Sequence, residues 1–342
     1  MTCRNRVFAL ALTLAAMAWH LPTAPSQAQS SRWGQNYLPN VELKTQDNQT
    51  VRFYDDVLKG KIVAISFIYT SCLDICPLIT ARMAQAYERL GDAAGRDVFF
   101  VSISIDPERD TPERLKRHAD AFRSDPNWVF LTGKPDDVAL VRRKLGERSR
   151  KLTEHGAQIM LYNDRTGEWL RDSAFADLGV LAVTMRNMDP AWRNRPNVPA
   201  PTHASTGPVQ DMPGQALYAK ACASCHLVGG GRKIGPDLKG LTQRRDRDWL
   251  ERFIMAPARM HAEKDPIALE LAAQFPAVRM PNLQLSKSDV ADLLSYINAR
   301  DYALAAADMA GPHSHAKGTG KVGHSGKTSH SDQNSSGAAH HH

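Results

Sequence analysis

Hydrophobic and polar positions along the first half of the chain predict alternating strands and helices. Two apolar runs, Lys61–Tyr69 and Val98–Ile105, are rich in β-branched and aromatic residues, as in strands that are buried on both faces. Between them, Leu78–Leu90 has the period of an amphipathic helix. A further helix is predicted after Thr111, which would cap it, with a proline at the first helical position. This order predicts an α/β fold with parallel strands in the sheet.

Two hairpins are predicted on either side of this strand–helix core. Residues Val41–Gly60 alternate in polarity around the turn residues Asp47 and Asn48. Later in the chain, Ala157–Asn163 and Glu168–Arg171 are two strand-like segments separated by a polar turn. We therefore expect antiparallel strands beside the parallel ones.

The composition changes between Asp189 and Pro213, where six prolines interrupt a stretch without periodicity. Such a segment is typical of a semi-rigid linker between domains. Four helical segments are predicted after it: Gly214–Ala221, Asp246–Met255, Pro266–Gln274 and Ser286–Arg300. In the last, Ser286 and Asp289 have the spacing of a capping box. From about Ala306 the chain is rich in Gly, Ser, Lys and His, and this composition predicts disorder.

The first residues have the pattern of a secretory signal peptide. Arg4 and Arg6 precede an apolar run, Val7–Trp19, and Ser26–Ala28 offers small residues for cleavage. The run has 13 residues, about 20 Å as a helix, against the roughly 30 Å of a bilayer core. We expect a periplasmic protein exported through this segment, and the alternative is an uncleaved N-terminus that anchors it to the membrane.

Length and charge narrow the class of protein. A chain of 342 residues is long for a single domain and favours two. The formal net charge is +7, but the basic residues are scattered and no cluster of aromatic residues accompanies them. Nucleic acid is therefore not an expected partner.

The cysteines indicate where the chemistry lies. Of five cysteines, Cys3 falls in the signal peptide, and the others form two close pairs, Cys72/Cys76 and Cys222/Cys225. A secreted disulfide scaffold would spread its cysteines along the chain to join distant loops. Two local pairs favour metal, redox or cofactor chemistry instead.

Cys72 and Cys76 lie between a predicted buried strand and a predicted helix. Both sulfurs can therefore approach the helix N-terminus, where the helix dipole favours a thiolate. Two thiolates with one imidazole would suit Cu(I) and adapt to Cu(II). The same sulfurs could instead cycle between dithiol and disulfide, or form a structural disulfide.

Three motifs in order resemble the Sco/SenC family. They are F-I-Y-T-S-C-L-D-I-C-P at 67–77, S-I-D-P-E-R-D-T-P at 104–112, and a histidine before a late strand. The resemblance covers roughly residues 32–185. It implies a thioredoxin-like fold and delivery of copper to the CuA centre of cytochrome oxidase.

By position, the resemblance makes Cys72, Cys76 and His155 the copper ligands, whereas Asp74 and Pro77 match the motif without being ligands. The family usually has Asp-His-Ser where this chain has Glu-His-Gly, so the residues that support the histidine are expected to differ. A standard thioredoxin has a proline before this strand, and its absence favours metal binding over general disulfide exchange. His118, on a polar helix, is expected to be solvated.

The second cysteine pair lies in Cys222-Ala-Ser-Cys225-His226, the C-x-x-C-H pattern of covalent c-type haem. Both cysteines would form thioethers with the haem and His226 would bind the iron. Residues 213–300 resemble a class I cytochrome c, in which Gly235-Pro236 matches the segment near the proximal histidine and Met280-Pro281-Asn282 matches the distal loop. The distal ligand is predicted to be Met280, with Met255, Met260 and His261 as alternatives. A His/Met pair would make an electron-transfer haem with a raised potential.

These patterns predict an α/β thioredoxin-like domain followed by an all-α cytochrome c domain. The predicted segments are a signal peptide (1–28), a Sco/SenC domain (32–188), a proline-rich linker (189–212), a class I cytochrome c domain (213–302) and a histidine-rich tail (303–342). The tail could capture copper or another divalent ion at low affinity, or it could be a non-specific tail whose last histidines are an added tag.

The leading hypothesis is a periplasmic copper chaperone in cytochrome oxidase assembly, with one copper ion, one covalent haem c, and electron exchange between them. Its expected partners are the oxidase subunit that contains CuA, or another cuproprotein, and a redox partner for the haem. One alternative is a thiol–disulfide oxidoreductase that draws electrons through its haem, with Cys72 and Cys76 as its redox pair. Another is an electron-transfer protein whose first domain only docks it to a partner.

Overall fold

A computed structural model describes residues 34–122, 124–195 and 212–310, with side chains up to 307. The predicted signal peptide, most of the predicted linker and the histidine-rich tail beyond 310 lie outside the described residues. Among the described residues, both predicted domains up to Asp301 belong to one compact unit, and a second unit begins at Tyr302.

The first domain is built on a mixed seven-stranded sheet. Its strands are β1 Glu42–Thr45, β2 Thr50–Arg52, β3 Ile62–Ile68, β4 Val98–Ser104, β5 Trp128–Gly133, β6 Gln158–Asn163 and β7 Glu168–Ser173. They lie in the order β2-β1-β5-β4-β3-β6-β7. The central strands β3, β4 and β5 are parallel, and the hairpins β1–β2 and β6–β7 add antiparallel strands at the two edges.

Helices cover both faces of this sheet. They are α1 Cys76–Leu90, α2 Pro112–Ala121, α3 Pro135–Leu145 and α4 Leu178–Asn187, followed by a short α5 Pro190–Arg193. Every residue of β3 is buried, and its side chains alternate between two cores, one packed with α3 and the other with α1, α2 and α4. A sheet covered on both faces explains why β3 and β4 are continuous apolar runs in the sequence. The α/β thioredoxin-like prediction is confirmed.

Local signals located most of these elements within two residues. The first hairpin turns at Asp47 and Asn48, where Asn48 has a φ of 59°, and Thr111 caps α2 by accepting from the Arg114 N–H. Part of the region predicted as one hairpin, Phe53–Leu58, is instead a wide helical turn. Three further elements of this domain, β5, α3 and α4, were not predicted from the sequence, and α5 occupies the start of the predicted linker.

The second domain is helical, as predicted. Its helices are α6 Gln215–Leu217, α7 Leu241–Arg244, α8 Arg247–Met255, α9 Pro257–Ala262, α10 Pro266–Gln274 and α11 Lys287–Ala310. The first predicted helix widens after three residues into a π-turn, Tyr218–Cys222. Met260 and His261, expected in a loop, lie in α9. The Ser286–Asp289 capping box is present, but α11 extends past Ala306, where disorder was predicted, because alanine is a strong helix former.

Within the described ranges, no helix has the combination of length and apolar character that a membrane crossing requires.

Candidate metal and cofactor sites

The first site is the loop that joins β3 to α1. Cys72 lies in this loop, and Cys76 is the first residue of α1. The Cys76 backbone N–H donates to the Cys72 sulfur, with 3.4 Å between the two heavy atoms. Both cysteines are free of disulfide bonds, and their exposed fractions are 6% and 0%. The fold therefore places two buried sulfurs at the N-terminus of a 15-residue helix, where the helix dipole favours negative charge.

The two sulfurs differ in acidity. The pKa of Cys72 is lowered to about 6, mainly by a hydrogen bond from the Cys76 thiol and also by the Tyr69 hydroxyl and backbone N–H groups, although burial opposes this. The pKa of Cys76 is raised by the same hydrogen bond and by burial. Cys72 is therefore the thiolate at neutral pH, the form that acts as nucleophile and binds a soft metal ion.

We expect Tyr69→Phe to raise the pKa of Cys72 by about 1, because the loss of one hydrogen bond to a charged sulfur costs roughly 1.5 kcal/mol. The rate of iodoacetamide alkylation of the metal-free protein, followed from pH 4 to 9, reports this pKa. Tyr87→Phe is the control, since Tyr87 packs on Phe100 and Trp128 in the same domain. An unchanged profile in Tyr69→Phe would exclude a role for its hydroxyl.

A buried carboxylate holds the cysteine loop in place. Asp110, which is fully buried, accepts hydrogen bonds from the Thr70 backbone N–H at 3.0 Å, from the Thr70 hydroxyl, and from the Ser104 hydroxyl at 2.7 Å. Thr70 lies two residues before Cys72. The 104–112 motif therefore contributes to the site by anchoring the loop, a role that the sequence analysis did not assign to Asp110.

His155 lies at the same end of the sheet. The antiparallel β3–β6 register pairs Ser66, near the end of β3, with Ile159, near the start of β6, and His155 precedes β6 by three residues. The His155 Nδ1 lies 3.4 Å from Glu147 Oε2. This contact, more than the opposing effect of burial, lowers the pKa of Glu147 to about 2. The Nε2 atom is buried and has no hydrogen-bond partner among the described residues.

The unpartnered Nε2 is the strongest structural sign of a metal site here, because buried ring nitrogens are almost always paired. Because this chain has Glu-His-Gly, the residues that support His155 were expected to differ from those of the family. In this structure Glu147 is the residue that contacts the His155 Nδ1. No local pattern singled out Glu147, which reaches His155 from eight residues earlier. Among the described residues, however, no three His, Cys, Asp or Glu side chains lie close enough together to hold a metal ion. The ligand set Cys72, Cys76 and His155 therefore stays a prediction.

The expectation for His118 was wrong. It is buried against Phe122 and Phe130, and its Nε2 lies 3.1 Å from the Thr80 hydroxyl, which itself donates to the Cys76 carbonyl. Burial lowers the pKa of His118 to about 4, so the ring is neutral at pH 7. His118 therefore packs beneath the start of α1, with its Nε2 already paired.

The second site is the turn that contains Cys222, Cys225 and His226. The His226 backbone N–H donates to the Cys222 carbonyl at 2.9 Å, which folds the motif so that all three side chains leave from one turn. The half-buried His226 ring donates from Nδ1 to the Pro236 carbonyl at 2.9 Å. This bond fixes the tautomer and leaves Nε2 as the nitrogen available to iron.

Gly235 fits against the same ring. A Cβ at this position would lie 2.5 Å from the His226 Cε1, so no larger residue fits without displacing the imidazole. The predicted Gly235-Pro236 match therefore has a physical reason, since glycine makes room for the ring and the Pro236 carbonyl orients it. These features fit a histidine held as a ligand.

Met280 faces the same space as His226. Two adjoining clefts in this domain are lined by both residues, together with Phe253 and Leu271. Among the alternative ligands, His261 lines one of these clefts, whereas Met255 and Met260 line neither. Met260 is buried in the helical core. The geometry therefore favours Met280 as the distal ligand, and His226 and Met280 fit a haem held between them.

Two family models match separate parts of the chain. The family model described as SCO1/SenC matches residues 31–169, and the model described as Cytochrome c matches residues 212–301. A protein of Stutzerimonas stutzeri named as copper-binding is 30% identical over 141 residues, which are 41% of this chain and 67% of that protein. The SCO1 protein homolog of Bacillus subtilis (strain 168) is 41% identical over 92 residues, 27% of this chain. The chain spans 46% of the length of that relative.

Among solved structures, a SCO1/SenC family lipoprotein from Bacillus anthracis str. Ames is similar with 27% identity and a TM-score of 0.38. The match covers 46% of this chain and 98% of that one. Bradyrhizobium japonicum ScoI, solved with copper bound, is 27% identical with a TM-score of 0.37, over 43% of this chain and 96% of that one.

Proposed function

The chain belongs to the SCO1/SenC family and has a cytochrome c domain after the matched region, and from this premise we propose that it is a copper chaperone whose haem domain serves its copper site. The observation that supports copper most directly is the unpartnered, buried His155 Nε2 at the end of the sheet where Cys72 and Cys76 lie. The Stutzerimonas stutzeri relative is named as a copper-binding protein, which also supports copper as the metal that this chain carries.

Each residue would have a distinct part in holding copper. Cys72, already a thiolate at neutral pH, would bind first. Cys76 has a raised pKa and would release its proton when the metal arrives. His155 would bind through Nε2 while Glu147 holds Nδ1 and sets the tautomer. Two sulfurs and one imidazole suit Cu(I) and can adapt to Cu(II).

The second domain would hold one haem c. Cys222 and Cys225 would form the thioethers, and His226 and Met280 would bind the iron. When bound, such a haem supplies one-electron transfer, which matches the single electron that separates Cu(II) from Cu(I). The chain's own contribution is to orient the His226 imidazole through the Pro236 carbonyl and to place this imidazole at the wall of an apolar cleft.

We further propose that the protein works in the periplasm and passes copper to the oxidase subunit that contains CuA, or to another cuproprotein. Export is supported by the predicted signal peptide at 1–28. The recipient is supported by the resemblance to the Sco/SenC family.

Copper delivery is tested by restoring a deletion strain with the Cys72→Ser/Cys76→Ser gene and measuring the copper content of its oxidase. We expect oxidase copper to fall to the level of the deletion strain, while the wild-type gene restores it. Tyr87→Phe serves as the control, since it alters the same domain away from the cysteines. Full oxidase copper with both cysteines replaced would refute the proposal.

A thiol–disulfide oxidoreductase is the second candidate, favoured by the unequal acidity of the cysteines. A thiolate at Cys72 beside a protonated Cys76 is the arrangement that opens a disulfide exchange. The two candidates differ in their need for His155. Reduction of a disulfide substrate that is unaffected by His155→Ala would favour the reductase, whereas one-to-one copper binding that is lost in His155→Ala favours the chaperone.

A further inference from the structure

One residue of the cytochrome c domain is hydrogen-bonded to the segment between the two cysteines. The Asn282 backbone N–H donates to the Leu73 carbonyl at 3.0 Å, and its side-chain amide donates to Asp74 Oδ1 at 3.1 Å. Leu73 and Asp74 are the two residues that follow Cys72 in the loop between β3 and α1. Asn282 follows Met280, the predicted distal ligand, by two residues.

The same domain is held to α1 at a second place. The buried Arg82 donates to the Lys220 carbonyl at 3.1 Å, and the Gln85 side chain donates to the Ala223 carbonyl at 3.4 Å. Lys220 and Ala223 flank Cys222 in the haem-attachment turn. The cysteine loop and α1 are thus bonded both to the turn that contains Cys222 and to the loop that contains Met280.

Arg82 is also fixed within its own domain, because it donates to the carbonyls of Ala174 and Ala176. The contact along α1 is therefore anchored by a side chain that is only 3% exposed. The contact at the cysteine loop lies nearer the surface, since Leu73 is 44% exposed. Of the two contacts, the one at Asn282 is made directly with the segment between the two predicted copper ligands.

Copper held by both cysteines would act directly on this segment. Asp110 holds the loop at Thr70, and Cys76 is the first residue of α1. Leu73 and Asp74 lie between these two points, and their carbonyl and carboxylate are the partners of Asn282.

We propose that Asn282 is a positioning residue that couples the two sites, so that closing the cysteine loop on copper shifts the loop that contains Met280. This inference rests on the proposed function. The coupling is reciprocal by linkage, so the state of the haem changes the copper affinity of the cysteine site by the same factor as copper changes the haem equilibrium. Asp74 is the acceptor through which the Asn282 side chain acts.

The test uses the full haem-loaded chain with Asp74→Ala, which removes the acceptor, and Asp74→Asn, which keeps a carbonyl oxygen at the same place. Asn298→Ala is the control, because Asn298 accepts from Thr242 at 3.0 Å within the cytochrome c domain. Hydrogen–deuterium exchange of the peptide around Asn282 is measured without metal and with one equivalent of Cu(I). The haem midpoint potential is measured in the same samples.

In metal-free protein, Asp74→Ala is expected to speed exchange at Asn282 about tenfold, as for the loss of a hydrogen bond to a charged group. Cu(I) should change this exchange rate and the haem potential in the wild type, in Asp74→Asn and in Asn298→Ala. Both responses should be several-fold smaller in Asp74→Ala, in which only the backbone bond to Leu73 remains. The coupling is refuted if copper binds the wild type but changes neither the exchange rate at Asn282 nor the haem potential. It is also refuted if both quantities respond to copper in Asp74→Ala as they do in the wild type.

Failure of the proposed function is distinguishable from failure of this inference. A wild type that binds no Cu(I) contradicts the chaperone proposal. The metal-free comparison still tests the contact in that case, since unchanged exchange at Asn282 in Asp74→Ala would refute it without any copper.

Discussion

Replacing both Cys72 and Cys76 by serine is expected to abolish Cu(I) binding by the first domain, from one ion per chain to none. The physical reason is that a hydroxyl is a hard, neutral ligand at pH 7, whereas the Cys72 thiolate is soft and already charged. His155→Ala should weaken binding by more than the roughly 10–100-fold that follows loss of an outer-shell partner, because His155 is proposed to bind the metal directly. Competition with a Cu(I)-specific chromophoric chelator measures the number of Cu(I) ions bound by the double variant and the Cu(I) affinity of His155→Ala.

His118→Ala is the matched control for His155→Ala. Both histidines are buried in the same domain, but the His118 Nε2 already has Thr80 as its partner, whereas the His155 Nε2 has none among the described residues. His118→Ala should therefore keep one Cu(I) per chain, provided that thermal unfolding shows a folded protein. If His118→Ala lost copper while His155→Ala kept it, the assignment of the third ligand would be wrong.

The second large effect is expected at the haem. Cys222→Ser/Cys225→Ser should eliminate covalent haem, because serine cannot form the thioethers. Haem-dependent peroxidase staining after denaturing electrophoresis should detect the wild type and give no signal for the double variant. Retained staining in this variant would contradict covalent attachment at the C-x-x-C-H motif.

Met280→Ala should keep the covalent haem and lose the methionine–iron absorption band, with a lowered potential, because a His/Met pair raises the potential. Met255→Ala is the matched control. Met255 packs against the same helical core but does not line the clefts shared by His226 and Met280. Loss of the band in Met255→Ala but not in Met280→Ala would show that Met255, and not Met280, binds the iron.

The features that the sequence located well are those set by neighbouring residues. A buried parallel strand is apolar throughout, so β3 and β4 were evident from composition alone. Caps act within three residues, so Thr111 and the Ser286–Asp289 box were predictable. The first domain's missed strand β5 pairs with β4 and β1, from distant parts of the chain, which no local pattern encodes.

The burial of His118 was unpredictable for the same reason. Its helix is polar enough to suggest exposure, but the aromatic rings of Phe122 and Phe130 and the start of α1 cover it. Glu147 and Asp110 are likewise ordinary charged residues in the sequence. Only packing brings Glu147 to His155 and brings the loop at Thr70 to Asp110.

By itself the sequence determined the two paired-cysteine motifs, the strands and caps around them, and the division into an α/β and a helical domain, because each depends on spacing over a few residues. The tertiary structure alone decided which groups surround those motifs. Asn282 and Asp74 are 208 residues apart in the chain and 3.1 Å apart in the fold. A contact of that kind comes from the burial of whole surfaces against each other, which residue spacing does not record.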